Sequence, residues 1–134
     1  MKKFVPILLL IILVLTATFF FSKGNINRFK DFLVEEKIEF KEVSINPNST
    51  FDNRLLGKSP HHLQITSDVF LHIYKYPSNA LAQKAKVNFI RETAMLDLTG
   101  HNFIVAEEMF IILEYDGELN EASRTIGGKI EEFQ

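Results

Sequence analysis

Hydrophobic and polar positions divide the chain into one continuous apolar run and a longer, patterned remainder. Residues Phe4 to Phe21 contain no charge and follow directly on Lys2 and Lys3. At about 1.5 Å per residue such a helix reaches roughly 27 Å, close to the hydrocarbon thickness of a bilayer. Leu8 to Leu15 are apolar on every face, which argues against an ordinary half-buried helix. A basic start followed by an apolar stretch also fits a secretory signal, but no small-x-small triplet stands between Thr16-Ala17-Thr18 and Lys23-Gly24. The pattern therefore favours a retained transmembrane anchor over residues 1–22, with a cleaved signal as the alternative. Lys2 and Lys3 before the run face Lys23, Arg28 and Lys30 after it, so charge asymmetry votes weakly on direction. The layout of an export signal places the C-terminal part outside the cytoplasm.

Beyond the run the period changes repeatedly. Asn25 is a capping residue, and Ile26, Phe29, Phe32 and Leu33 recur at helical spacing, with Lys23-Gly24-Asn25 as the candidate hinge. Ile38 to Ile45 alternates and reads as a strand. Asn46-Pro47-Asn48-Ser49 opens an irregular stretch to Pro60. His62 to Thr66 and Val69 to Tyr76 read as strands joined tightly at Ser67-Asp68. Ser78 caps a helix from Ala80 to about Leu96 whose inner face carries Ala82, Ala85, Phe89 and Leu96. Phe103 to Ala106 and Met109 to Tyr115 form a second hairpin around Glu107-Glu108. Leu119, Ala122, Ile126, Ile130 and Phe133 trace a last helical stripe despite Gly127-Gly128. The expected fold is α+β: one N-terminal transmembrane helix, then residues 23–134 as a single extracytoplasmic domain with a mostly antiparallel sheet and about three helices.

Alternation along Val69–Tyr76 puts Val69, Leu71 and Ile73 on a core face, and Phe70, His72, Tyr74 and Tyr76 on the other. This aromatic row is the candidate partner-binding surface; the alternative is packing against a helix or the 46–60 loop.

Charge and composition remove several functions. Of 15 Lys and Arg, two precede the apolar run, leaving 13 against 17 acidic residues in the remainder, a balance unsuited to nucleic acid. The sequence has no cysteine, hence no thiol nucleophile and no thiolate metal ligand. His61 and His62 are adjacent, so in a strand their side chains point apart. No phosphate-binding or calcium-loop pattern occurs, and no cofactor is implied.

The segments FLHIYKYPSNALAQKAK (Phe70–Lys86) and MFIILEYDGELNEA (Met109–Ala122) combine a Tyr- and Ile-rich strand, a turn and an Ala/Lys-rich helix. With the Lys-Lys start and the cysteine-free apolar run, this rhythm resembles the small exported, membrane-anchored proteins of low-GC Gram-positive bacteria. The resemblance brings no functional residues with it. The expected function is therefore non-catalytic: a domain that binds or regulates an envelope or membrane protein, held at the lipid bilayer through residues 4–21. The competing expectation is a small envelope hydrolase or metal-dependent enzyme built on His61, His62, His101 and the Glu107/Glu108 pair.

Overall fold

The computed structural model describes residues 4–98 and 100–133; within the first helix it describes the side chains of Ile7, of Leu9 to Leu13 and of Ile26 onward. That helix, α1, runs without interruption from Phe4 to Glu35. The expected hinge at Lys23-Gly24-Asn25 is helical backbone, so no helix begins at Asn25. One interior glycine costs about 1 kcal/mol, which is small against the burial of Ile26, Phe29 and Leu33 on the sheet.

A second expectation is overturned here. Among the described residues no helix is long and apolar enough to cross a membrane, so the transmembrane anchor assigned to residues 1–22, and with it the single-pass membrane reading, is not supported. The second half of α1 packs on the rest of the chain and turns Arg28, Asp31 and Glu35 outward. Met1 to Lys3, and the side chains of Phe4 to Pro6, Leu8 and residues 14–25, lie outside the described residues.

The helix ends in a Schellman arrangement. Lys37 takes a left-handed φ of 59°, its N–H donates to the Val34 carbonyl at 3.0 Å, and the Ile38 N–H donates to the Leu33 carbonyl at 2.8 Å. Ile38 thereby closes the helix instead of opening a strand. The strand expected over Ile38–Ile45 shrinks to β1, Lys41–Glu42.

Four longer strands follow: β2 (His61–Thr66), β3 (Val69–Lys75), β4 (His101–Ala106) and β5 (Met109–Tyr115), with α2 (Asn79–Thr93) between the hairpins and α3 (Glu121–Glu131) at the end. They form one sheet in the order β1-β2-β3-β5-β4, every neighbouring pair antiparallel. The domain is thus α+β, with a five-stranded antiparallel sheet and three α-helices. Ser78 caps α2 through its Oγ, which accepts from the Leu81 N–H at 3.3 Å. Thr93 closes the helix on the Phe89 carbonyl, so Leu96 falls past its end and is half-exposed.

The sheet is covered on both faces. On one, Leu63, Leu71, Ile73 and Ile111 pack against Phe29 and Leu33 of α1 and Ile126 and Ile130 of α3. On the other, Tyr74, Tyr76, Phe110 and Ile112 pack against Ala82, Ala85 and Phe89 of α2 and against Phe51 and Leu55 of the 46–60 loop. Two glycines make the close approaches possible. A Cβ on Gly127 would lie 3.3 Å from Leu113 Cδ2, which explains a glycine inside α3 where it meets the sheet. At Gly100, φ is +76° and a Cβ would meet the Tyr115 carbonyl oxygen at 2.2 Å, so only glycine fits the entry to β4.

Candidate functional site: a buried histidine–carboxylate chain

The β2–β3 hairpin turns at Ser67-Asp68, and a simple two-residue turn would set His62 opposite Ile73. The structure carries an irregularity between Gln64 and Thr66: Thr66 pairs with Val69, but Gln64 pairs with Phe70. This bulge shifts the register by one residue and sets His62 directly opposite His72. Both rings then lie on the α2 side of the sheet, where His72 is fully buried and His62 is 9% exposed.

The two rings meet through their Nδ1 atoms at 2.8 Å. The far nitrogens are also taken: His62 Nε2 lies 2.8 Å from Asp52 Oδ1, and His72 Nε2 lies 2.7 Å from Glu114 Oε2. Asp52 comes from the 3-10 turn Thr50–Asp52 in the 46–60 loop, which Ser49 caps through Oγ. Glu114 sits on β5 opposite Phe70, diagonal to His72. The result is a linear chain, Asp52–His62–His72–Glu114, that crosses four structural elements and ends at both sides in a carboxylate with a side chain 34% exposed.

Hydrogen-bond counting fixes the protonation of this chain. Each of the three contacts holds one hydrogen and no more. Whatever the tautomers, three protons on two carboxylates and two imidazoles leave a net charge of −1. Burial pushes the His72 imidazole down from its ordinary value, while the hydrogen bond from His72 holds the Glu114 carboxyl below the usual carboxylate range. A neutral His72 that donates from Nε2 to Glu114 must accept at Nδ1. His62 therefore donates from its Nδ1, and the remaining proton lies on the His62–Asp52 contact.

Aromatic stacking encloses the chain. The Phe51 ring lies 4.8 Å from His72 at an interplanar angle of 3°, and 4.9 Å from His101 on its other side. His101 stands opposite Glu114 across β4–β5, and both of its ring nitrogens are enclosed without a hydrogen-bond partner among the described residues. The loop is further held by two tyrosines of the sheet. Tyr74 OH donates to the Asn53 carbonyl at 2.7 Å, and Tyr76 OH donates to the Leu55 carbonyl at 2.8 Å. Burial raises both phenol pKa values.

The aromatic row is thus enclosed by this chain itself: Tyr74 and Tyr76 are 0% and 2% exposed, His72 is fully buried, and Phe70 is half-buried near the end of β3. The residues of the enzyme alternative do not converge. His61 faces the α1 side, next to Glu42 and Lys30. Glu107 pairs with Arg28 at 2.9 Å, at the opposite end of β4 from His101, about 20 Å along the strand. Among the described residues no group of three or more His, Asp or Glu side chains could hold a metal ion. Sequence reasoning reached His62 and His72 but missed Asp52 and Glu114. Their roles depend on the bulge and on a loop with no periodicity, and a hairpin register allowing one bulge was the signal available for the histidine pair.

Beside the chain lies an open cleft of about 510 Å³ at the β1–β2 edge, lined by Glu42 to Ile45, by Asp52 and by Pro60 to Leu63. Its volume is within the range of ligand sites. Comparison with protein-family models, curated proteins and solved structures found no match to this chain.

Replacing Tyr76 with phenylalanine is expected to remove one buried hydrogen bond and about 1 kcal/mol. Amide hydrogen exchange checks it: residues 50–58 lose protection while β3 and β5 keep theirs.

Proposed function

We propose that this chain is a binding module and not an enzyme, and that the cleft at the β1–β2 edge receives a segment of a partner protein of the cell envelope. One observation carries the non-catalytic reading. All four ring nitrogens of His62 and His72 are engaged within the chain, so neither imidazole has an atom left to face a substrate, as a general base must. Those bonds shape a loop; they do not present a reactive group. The cleft is the complementary feature: it is open, it exposes Ser44 and the Glu42 carboxylate, and one of its walls is the loop that the histidine chain holds in place. The acidic balance of residues 23–134, 13 basic against 17 acidic residues, favours a partner segment rich in hydrogen-bond donors or positive charge. The domain's place outside the cytoplasm belongs to the same proposal, on the strength of the Lys2-Lys3 start and the apolar residues that follow.

The absence of natural cysteine gives a clean test. Ser44→Cys in the full-length chain, labelled with a photocrosslinker in the cells that make the protein, is expected to give one discrete adduct. Lys84→Cys, exposed on α2, is expected to give none. Equal labelling from both positions, or none from Ser44→Cys, contradicts the reading.

A further inference from the structure

The histidine chain has a property that a purely structural hydrogen-bond network lacks: it tolerates one proton count. Removing a proton leaves two lone pairs facing each other at one contact. Adding one to the second imidazole sets two N–H groups against each other across 2.8 Å between strands that cannot separate. A surplus proton on His72 is accommodated only if the His62 ring withdraws, and the partner on the far side of that ring, Asp52, is carried by a loop and not by a strand.

We propose that Asp52–His62–His72–Glu114 is a proton-binding site, and that protonation of the chain below neutral pH frees the Thr50–Asp52 turn and so reshapes the cleft. The inference rests on the cleft as the binding site for its biological use, though not for its test. Asp52 is the charged group that ties this loop to the histidines; the Tyr74 and Tyr76 hydroxyls also hold the loop and do not titrate near neutrality, while Phe51 stacks on the His72 ring itself. Withdrawal of the His62 ring breaks its contact with Asp52 at the place where both residues line the cleft.

The surrounding charges are few. Glu114 on β5 and His101 on β4 face His72. His61, on the other side of β2, is surrounded by Glu42, Lys30 and Lys75. The α2 residues packed against this face, Ala82, Ala85, Phe89 and Thr93, do not titrate. A histidine with an ordinary pKa near 6.5 that is buried neutral resists protonation until the pH falls below that value. The step therefore lies on the acid side of pH 6.5.

Amide hydrogen exchange of the full-length chain, corrected for intrinsic rates, reads the loop directly and without a ligand. Between pH 7.5 and 5.5 the opening of residues 50–53 is expected to rise about tenfold, the change that one pH unit below a pKa produces. Asp52→Ala should show the open level already at pH 7.5, with no further step. Tyr76→Phe should raise the opening at both pH values and keep the step, which separates general loosening from proton coupling. The proposal is overturned by equal opening at both pH values, by a step that survives in Asp52→Ala, or by one equivalent of Zn²⁺ binding to and fixing the wild-type loop at both pH values. An exchange step without a Ser44 crosslink rejects the cleft and keeps the proton site; a crosslink without the step does the reverse.

Discussion

Replacing His72 with leucine is expected to lower the unfolding free energy by about 3 kcal/mol at pH 7.5. The side chain is fully buried and sits in the middle of the chain. Its loss leaves His62 Nδ1 facing an apolar group in place of its hydrogen-bond partner. Glu114 suffers less, because its partly exposed carboxylate can turn to water. The penalty should shrink on acidification. The folded-state pKa of His72 is depressed, so the unfolded chain takes up the proton first; His72 thus contributes stability above about pH 6.5 that is lost as the pH falls. His61, also depressed by burial, acts in the same direction, and Glu114 adds a further loss below about 4.5. Urea unfolding of both proteins at pH 7.5 and 5.5 checks the sign: the gap between wild type and His72→Leu narrows at the lower pH. A gap that widens on acidification would mean that His72 is charged in the native state.

Phe29→Ala is expected to cost about 3–5 kcal/mol. Phe29 is fully buried, 5.3 Å from Phe133 edge-on and 6.2 Å from Phe32, and it joins α1 to the sheet and to the C-terminal end of the chain. This substitution also separates two pictures of the chain. If residues 23–25 were a hinge, loosening the following turn would leave the segment before it unchanged. In a continuous α1, losing Phe29 removes protection from Ile26 to Leu33 and frees Phe133 at once. Exchange rates of those amides, measured beside those of β3 and β5 as internal references, decide between them.

The sheet was readable from the sequence wherever local chemistry repeats. Alternation located β3 and β5, Ser78 marked the start of α2, and the two-residue hairpin joints at Ser67-Asp68 and Glu107-Glu108 lie where the pattern puts them. Three features were hidden for physical reasons. The Phe4–Phe21 run reads as a bilayer span by hydropathy alone, and nothing in it reveals that its helix continues through Gly24 into a segment committed to the core. Lys37 in a left-handed conformation ends α1 without the glycine that usually signals it, so Ile38 looks like the first residue of a strand. The site depended on the Gln64–Thr66 bulge: one residue of register decides whether His62 faces Ile73 or His72. The partners Asp52 and Glu114 lie 10 and 42 residues from the histidines they contact, beyond any spacing rule. The aromatic row was visible, and its cover is the alternative that the same alternation offered: a helix, through Ala82, Ala85 and Phe89, and the 46–60 loop, through Phe51 and Leu55.

The central claim is a single proton shared between two buried imidazoles. Long-range ¹⁵N–¹H spectra of the full-length chain, labelled at the histidine rings, test it most directly at pH 7.5. The predicted result is one Nδ1 protonated and the other bare between His62 and His72, with a ¹⁵N–¹⁵N coupling transmitted through the hydrogen bond. Two bare Nδ1 atoms, with both rings protonated only at Nε2 and no coupling between them, would contradict it.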